Sequence, residues 1–189
     1  MKRLKIMTAA TVLIVSGALV SPLGTTTAEA YNLFGCRHNT VNVTYSLGAT
    51  ATAYNSPLSS ATANWTNTTD ANLSQTPPAA RISFVAANYG NVGWSGIASG
   101  SSTCSGEIYA TSSAVGIQIN RYYTDAYTAT QKQGVIGHEF GHALGLAHTG
   151  ATSTPCASVV LMNPSDGLRN SCVVYTARAD DRNGVNALY

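Results

Sequence analysis

Residues 138–148 read HEFGHALGLAH, placing three of the chain's four histidines and a glutamate within eleven positions. His138 and His142 are four apart. On an α-helix that leaves roughly 40° between them, so both imidazoles face the same way, one turn apart, and can meet one ion. Glu139 is rotated by about 100° from His138. That is too far round for a ligand, and it suits a base for water activated by that ion. His148 cannot share the helical face. Gly145 stands between, where a left-handed residue ends a helix, and a reversal there returns His148 under the same ion. Three neutral imidazoles leave one tetrahedral position open, the arrangement of a catalytic rather than a structural zinc. Five fixed positions (His138, Glu139, His142, Gly145 and His148) make a helix with fortuitous histidines the weaker reading.

The N-terminus bears on where such a site would work. Lys2, Arg3 and Lys5 precede an apolar run, IMTAATVLIVSGALV (Ile6 to Val20), and a polar stretch ending in AEA (Ala28 to Ala30). This is the layout of a signal peptide cut after Ala30. The apolar run is shorter than the roughly 18 residues of a membrane span. We therefore expect residues 1–30 to be a signal and residues 31–189 to be one domain, secreted and free of the membrane once cut. Of 189 residues, removing 30 leaves 159, the size of one ordinary domain. Losing Lys2, Arg3, Lys5 and Glu29 turns ten basic and eight acidic residues into seven of each. A neutral chain with no basic stripe argues against nucleic acid as a partner. Cys36, Cys104, Cys156 and Cys172 all lie in the expected mature part, none spaced as C-x-x-C. In an exported chain they read as two disulfides, with three connectivities open.

Along the chain, VNVTYSL (Val41 to Leu47) alternates as a strand does. SPLSSATANWTNTTD (Ser56 to Asp70) reads as a helix, with Ser56 and Pro57 at its start and Leu58, Ala61, Thr62 and Trp65 on its buried face. Ser74 to Ala80 reads as a loop and Arg81 to Ala87 as a strand. Asn88 to Gly106 is rich in glycine and serine, with a short strand about Trp94 to Ala98. Gly116 to Tyr123 reads as a strand, and a helix runs from Thr128 through Leu144. The chain then looks irregular to about Thr176 and closes on an amphipathic helix from Ala177 to Tyr189, burying Ala177, Val185, Leu188 and Tyr189. The expected fold is a mixed α/β (α+β) domain, its helices packed on a mostly sequential sheet.

HEFGHALGLAH matches the HExxHxxGxxH motif of the metzincin zinc peptidases. With Thr149 added, HEFGHALGLAHT is most similar to the matrixin branch. VVLMNP (Val159 to Pro164) resembles the methionine turn of that family, making Met162 its methionine, and ADDRNGVNALY (Ala179 to Tyr189) resembles the matrixin C-terminal helix. The resemblance implies a twisted mixed sheet, an active-site helix, a Met-turn and a C-terminal helix. It implies one catalytic zinc on His138, His142 and His148, with Glu139 as general base, cutting a protein or peptide substrate paired to an edge strand within Gly96 to Ala114. If Cys156 and Cys172 are bonded they would pin the loop around the Met-turn, and Cys36 would reach Cys104. A terminal ammonium at Tyr31 pairing with Asp180 or Asp181 is a further implication, set against the plainer reading of a solvated pair at a helix start.

The sequence also departs from that family. It has no cysteine-switch sequence, although Cys36 is a conceivable latency ligand. His38 is the only histidine left for a second, structural zinc. Calcium is admitted but unsupported, because the carboxylates are scattered. Pro164 stands two residues after Met162, where astacins and serralysins have a tyrosine. We expect a monomer. Two alternatives stay open: a hydrolase of cell-wall peptide cross-links, and a zinc-containing module that binds surfaces without catalysis.

Overall fold

A computed structural model describes residues 31–76, 80–100, 103–109, 115–150, 152 and 155–189. The expected signal lies outside the described residues. The strands are β1 (Asn32–Leu33), β2 (Asn42–Thr50), β3 (Asn72–Gln75), β4 (Ile82–Ala87), β5 (Gly96–Ser99), β6 (Val115–Asn120) and β7 (Leu146–Ala147). The helices are α1 (Asn55–Thr68), α2 (Arg121–Thr124), α3 (Ala129–Ala143), α4 (Asp166–Ser171) and α5 (Ala179–Asn186). No helix among them is long and apolar enough to cross a membrane.

Five strands form one mixed sheet in the order β3-β2-β4-β6-β5. The inner pairs are parallel, and β5 runs antiparallel on the edge beside β6. The order is not sequential, because the β2–α1–β3 crossover puts β3 outside β2 and sends β4 to the other side. Alternation decides which face the helices cover. Val43 and Tyr45 of β2, Ile82, Phe84 and Ala86 of β4, and Ile117 and Ile119 of β6 are buried against the helices.

Two helices make that layer. Helix α1 buries Leu58, Ala61, Thr62 and Trp65, the face read from sequence. Pro57 sits in its first turn, where a missing N–H costs nothing. Trp65 Nε1 donates to the Gly137 carbonyl at 2.9 Å and so ties α1 to α3. Helix α3 starts on a capping box: Gln131 N–H donates to Thr128 Oγ1 and Thr128 N–H to Gln131 Oε1, at 3.2 and 2.9 Å.

Several expectations shift. The strand expected to run to Tyr123 stops at Asn120. There the side chain of Asn120 accepts the N–H of Tyr122, which starts α2, and Arg121 pairs with Asp125 one turn on. The loop expected from Ser74 begins inside β3, and residues 77–79 lie outside the described residues. The segment read as irregular before Thr176 contains α4, capped by Ser165 Oγ accepting from Leu168 N–H. In the last helix Ala177 and Val185 are buried, whereas Leu188 and Tyr189 are half-buried.

Candidate metal centre

Helix α3 carries His138, Glu139 and His142, which are 4%, 5% and 7% exposed. The helix ends as Gly145 takes φ +111°. Its N–H donates to the His142 carbonyl at 3.0 Å, and the chain reverses into β7. His148 follows, exposed at the mouth of the site. Its Nε2 lies 3.1 Å from Nε2 of both His138 and His142. Among the described residues these three are the group of side chains whose donor atoms could hold a metal ion.

The imidazoles are prepared for that role. His138 Nδ1 lies 2.7 Å from the Leu161 carbonyl, and His142 Nδ1 lies 2.7 Å from the Leu146 carbonyl. A carbonyl only accepts, so each Nδ1 carries the proton and each Nε2 presents a lone pair. Burial holds both rings neutral: it drives His138 well below the ordinary histidine range, with the nearby Arg169 cation adding to it, and His142 down to about 4. Burial also lowers His148. Tetrahedral zinc with Zn–N bonds of about 2.0–2.1 Å sets nitrogens about 3.3 Å apart, close to the spacing here. Three neutral nitrogen donors at this spacing fit zinc.

The turn beneath the helix braces the rings. Met162 is buried, and its Sδ lies so close to Gly141 that a Cβ there would stand 2.4 Å away. The Met162 carbonyl accepts from Thr149 N–H at 3.0 Å, linking the turn to the residue after His148. Asp181 supports the turn from α5. Its carboxylate oxygens accept from the N–H groups of Leu161 and Met162 at 2.9 and 3.0 Å, and from Arg178 N–H at 2.8 Å. The plain reading of Asp181 as a solvated helix-start charge is therefore replaced by a buried anchor. The Tyr31 ring packs beside Gly184 of α5, where a Cβ would lie 3.0 Å from it.

Glu139 faces a cleft of about 530 Å³ whose walls include Gly96, Trp94, Tyr123, Tyr127 and Pro164. Burial pushes its carboxyl up to about 8, partly offset by Arg169. Strand β5 passes directly over it, and residues 110–114 of the expected edge segment lie outside the described residues. The four cysteines form Cys36–Cys104 and Cys156–Cys172 bonds, so Cys36 has no thiol to offer a metal. His38 sits behind the helix end, with Nε2 3.1 Å from the Ala143 carbonyl.

Three contributors escaped the sequence reading. Asn32, in β1, donates from Nδ2 to the His148 carbonyl at 2.8 Å. The ring of Phe34 lies 5.4 Å from that of His142. Arg169 is buried behind His138, in an ion pair with Asp166. No pattern in the sequence marks Arg169; its three-residue spacing from Asp166 is ordinary for a helix surface.

No protein-family model and no curated protein matches this sequence. Among solved structures, one of myroilysin aligns at 16% identity over 62% of this chain and 54% of that chain, with a TM-score of 0.46. This chain thus spans about half of that protein's length. A second myroilysin structure aligns at 13% identity over 80% of this chain and 76% of that chain, with a TM-score of 0.40.

Proposed function

We propose that the chain is a secreted, zinc-dependent endopeptidase of matrixin-like type, with residues 1–30 an export signal and residues 31–189 one catalytic domain. The observation that carries this reading is the convergence of three imidazole nitrogens beside a buried carboxylate in an open cleft. His138, His142 and His148 are the groups that would hold the ion. A zinc ion there supplies Lewis acidity, acidifying water and polarising a carbonyl.

The rest of the work falls to the chain. Glu139 takes a proton from the attacking water and returns it to the leaving amine. A carboxyl raised toward neutral by burial suits both transfers. An extended peptide running alongside β5, the outermost strand of the sheet, would cross the cleft above Glu139, its carbonyl facing the histidines. Side chains of that peptide would enter between Trp94, Tyr123 and Tyr127. The two disulfides suit an oxidising compartment and support the secreted reading.

The test is casein cleavage by the chain from Tyr31 onward, beside Glu139→Ala, with zinc measured in both. Cleavage by wild type and none by the zinc-loaded variant is the expected result. Zinc in both with cleavage by neither would overturn general proteolysis and turn attention to cell-wall peptides or to binding alone.

A further inference from the structure

Arg169 stands outside the motif that defines the centre, yet its side chain is only 3% exposed and lies against it. One guanidinium nitrogen donates to the Asn163 carbonyl and lies 3.1 Å from His138 Nδ1. The His138 proton goes to Leu161, so the second approach is a close contact of the cation with the Nδ1 edge of the ring and not a hydrogen bond. The other nitrogen donates to Asp166, whose carboxylate also accepts from the Ser95 hydroxyl. His138, Arg169, Asp166 and Ser95 all line the cleft. Asn163 follows Met162 in the turn under the histidines. Ser95 immediately precedes β5, and its carbonyl accepts from Asn120 N–H at 2.8 Å, fixing it to the sheet.

Burying a cation is costly unless its partners are well placed. A planar guanidinium can serve two acceptors at a set angle, which a lysine ammonium cannot do in the same way. We propose that Arg169 is a positioning residue of the metal centre. It locks the His138 ring and the turn beneath it to the edge strand, through Asp166 and Ser95. The inference rests on the reading of the three histidines as a metal site. It assigns a role to side chains that lie beside the three histidines and outside the motif that carries them. Groups of this kind typically alter metal affinity by about 10- to 100-fold when removed.

The test compares wild type with Arg169→Met, Arg169→Lys and Ser95→Ala. Zinc affinity is read by competition with a coloured chelator. Ligand geometry is read from the visible absorption of the cobalt-loaded proteins, and fold stability from urea unfolding of the metal-free forms. We expect Arg169→Met to weaken zinc by at least about tenfold and to change the cobalt spectrum. Arg169→Lys should do the same, since one ammonium cannot replace the fork. Ser95→Ala cuts only the far end of the strut. It should keep zinc and raise KM more than it lowers kcat on any peptide that wild type cuts.

A merely structural ion pair would lower stability in urea and leave zinc affinity and the cobalt spectrum of the folded protein unchanged, which overturns the proposal. If Arg169→Met does not fold, Arg169→Lys decides, and wild-type zinc affinity and spectrum there overturn it equally. A wild-type chain that binds no zinc would instead overturn the metal-centre reading, taking this proposal with it.

Discussion

A methyl group on Gly96 would stand 2.7 Å from Oε1 of Glu139 and 2.8 Å from its Cγ. The edge strand therefore crosses the buried carboxylate with no space for a side chain. The clash falls on both the carboxylate and Cγ, so the end of the Glu139 side chain must shift to admit the methyl. Gly96→Ala should displace the proposed base and lower kcat/KM by about tenfold or more, or ~1.4 kcal/mol of transition-state stabilisation. Zinc should stay bound, because no histidine is touched. Kinetics and metal analysis on one sample check this, and an unchanged kcat/KM would mean that the carboxylate does not act from its observed position.

Gly145 is demanded twice over. Its φ is +111°, and a Cβ there would lie 2.2 Å from the Cys36 carbonyl oxygen. Gly145→Ala should cost about 3 kcal/mol or more, from left-handed strain plus backbone collision. The same displacement should move His148 away from its partners, so zinc content should fall with the midpoint of thermal unfolding. A variant that unfolds earlier and still holds a full zinc equivalent would separate the reversal from the third ligand.

What could be read from the sequence was local. The histidine spacing follows from the helical period, and the helix end follows from one glycine. The buried face of α1 was legible for the same reason, with Leu58, Ala61 and Trp65 recurring at helical intervals. What could not be read depends on distant partners. Asp181 resembles any acidic residue in a first helical turn until the turn at Leu161 and Met162 is seen to need its oxygens. Arg169 lies in a segment with no strong period, and its burial is decided by Asn163, Asp166 and Ser95. Strand order escaped too, since β3 is only four residues long and pairs outside β2 through a crossover that spacing does not encode.

The Cys156–Cys172 bond joins cysteines 16 positions apart and encloses Met162, Asn163, Pro164 and Asp166. Loop-closure entropy of that span is worth about 3 kcal/mol. Replacing both cysteines with serine should lower the thermal midpoint of the metal-free protein by several degrees. Asp181 and the Thr149 contact should still hold the turn, so zinc binding should weaken far less than in a histidine variant. Calorimetry with zinc titration checks both parts, and an unchanged midpoint would show that the bridge constrains nothing the folded contacts do not already fix.

His38 gives a pH dependence whose sign is fixed by its surroundings. The ring is 1% exposed, with Nε2 3.1 Å from the Ala143 carbonyl and Nδ1 without a hydrogen-bond partner among the described residues. It is thus neutral, with its proton on Nε2. Burial is the main cause that pushes its pKa down from the ordinary 6.5 to about 4. The unfolded chain takes up this proton below about pH 6.5 while the folded chain refuses it until about pH 4, so the unfolding free energy falls as pH falls through that window. Above it the contribution is fully present. The other histidines shift in the same direction and Glu139 in the opposite one, so a titration of wild type alone would blend them. His38→Gln removes the titration and keeps a donor for Ala143. Urea unfolding of both metal-free proteins at about pH 7.5 and about pH 4.5 should show the stability difference moving in favour of the variant at the lower pH, by an amount on the order of 2 kcal/mol. An identical difference at both values would mean that the folded ring accepts a proton as readily as the unfolded one, and that its burial is relieved before the chain unfolds.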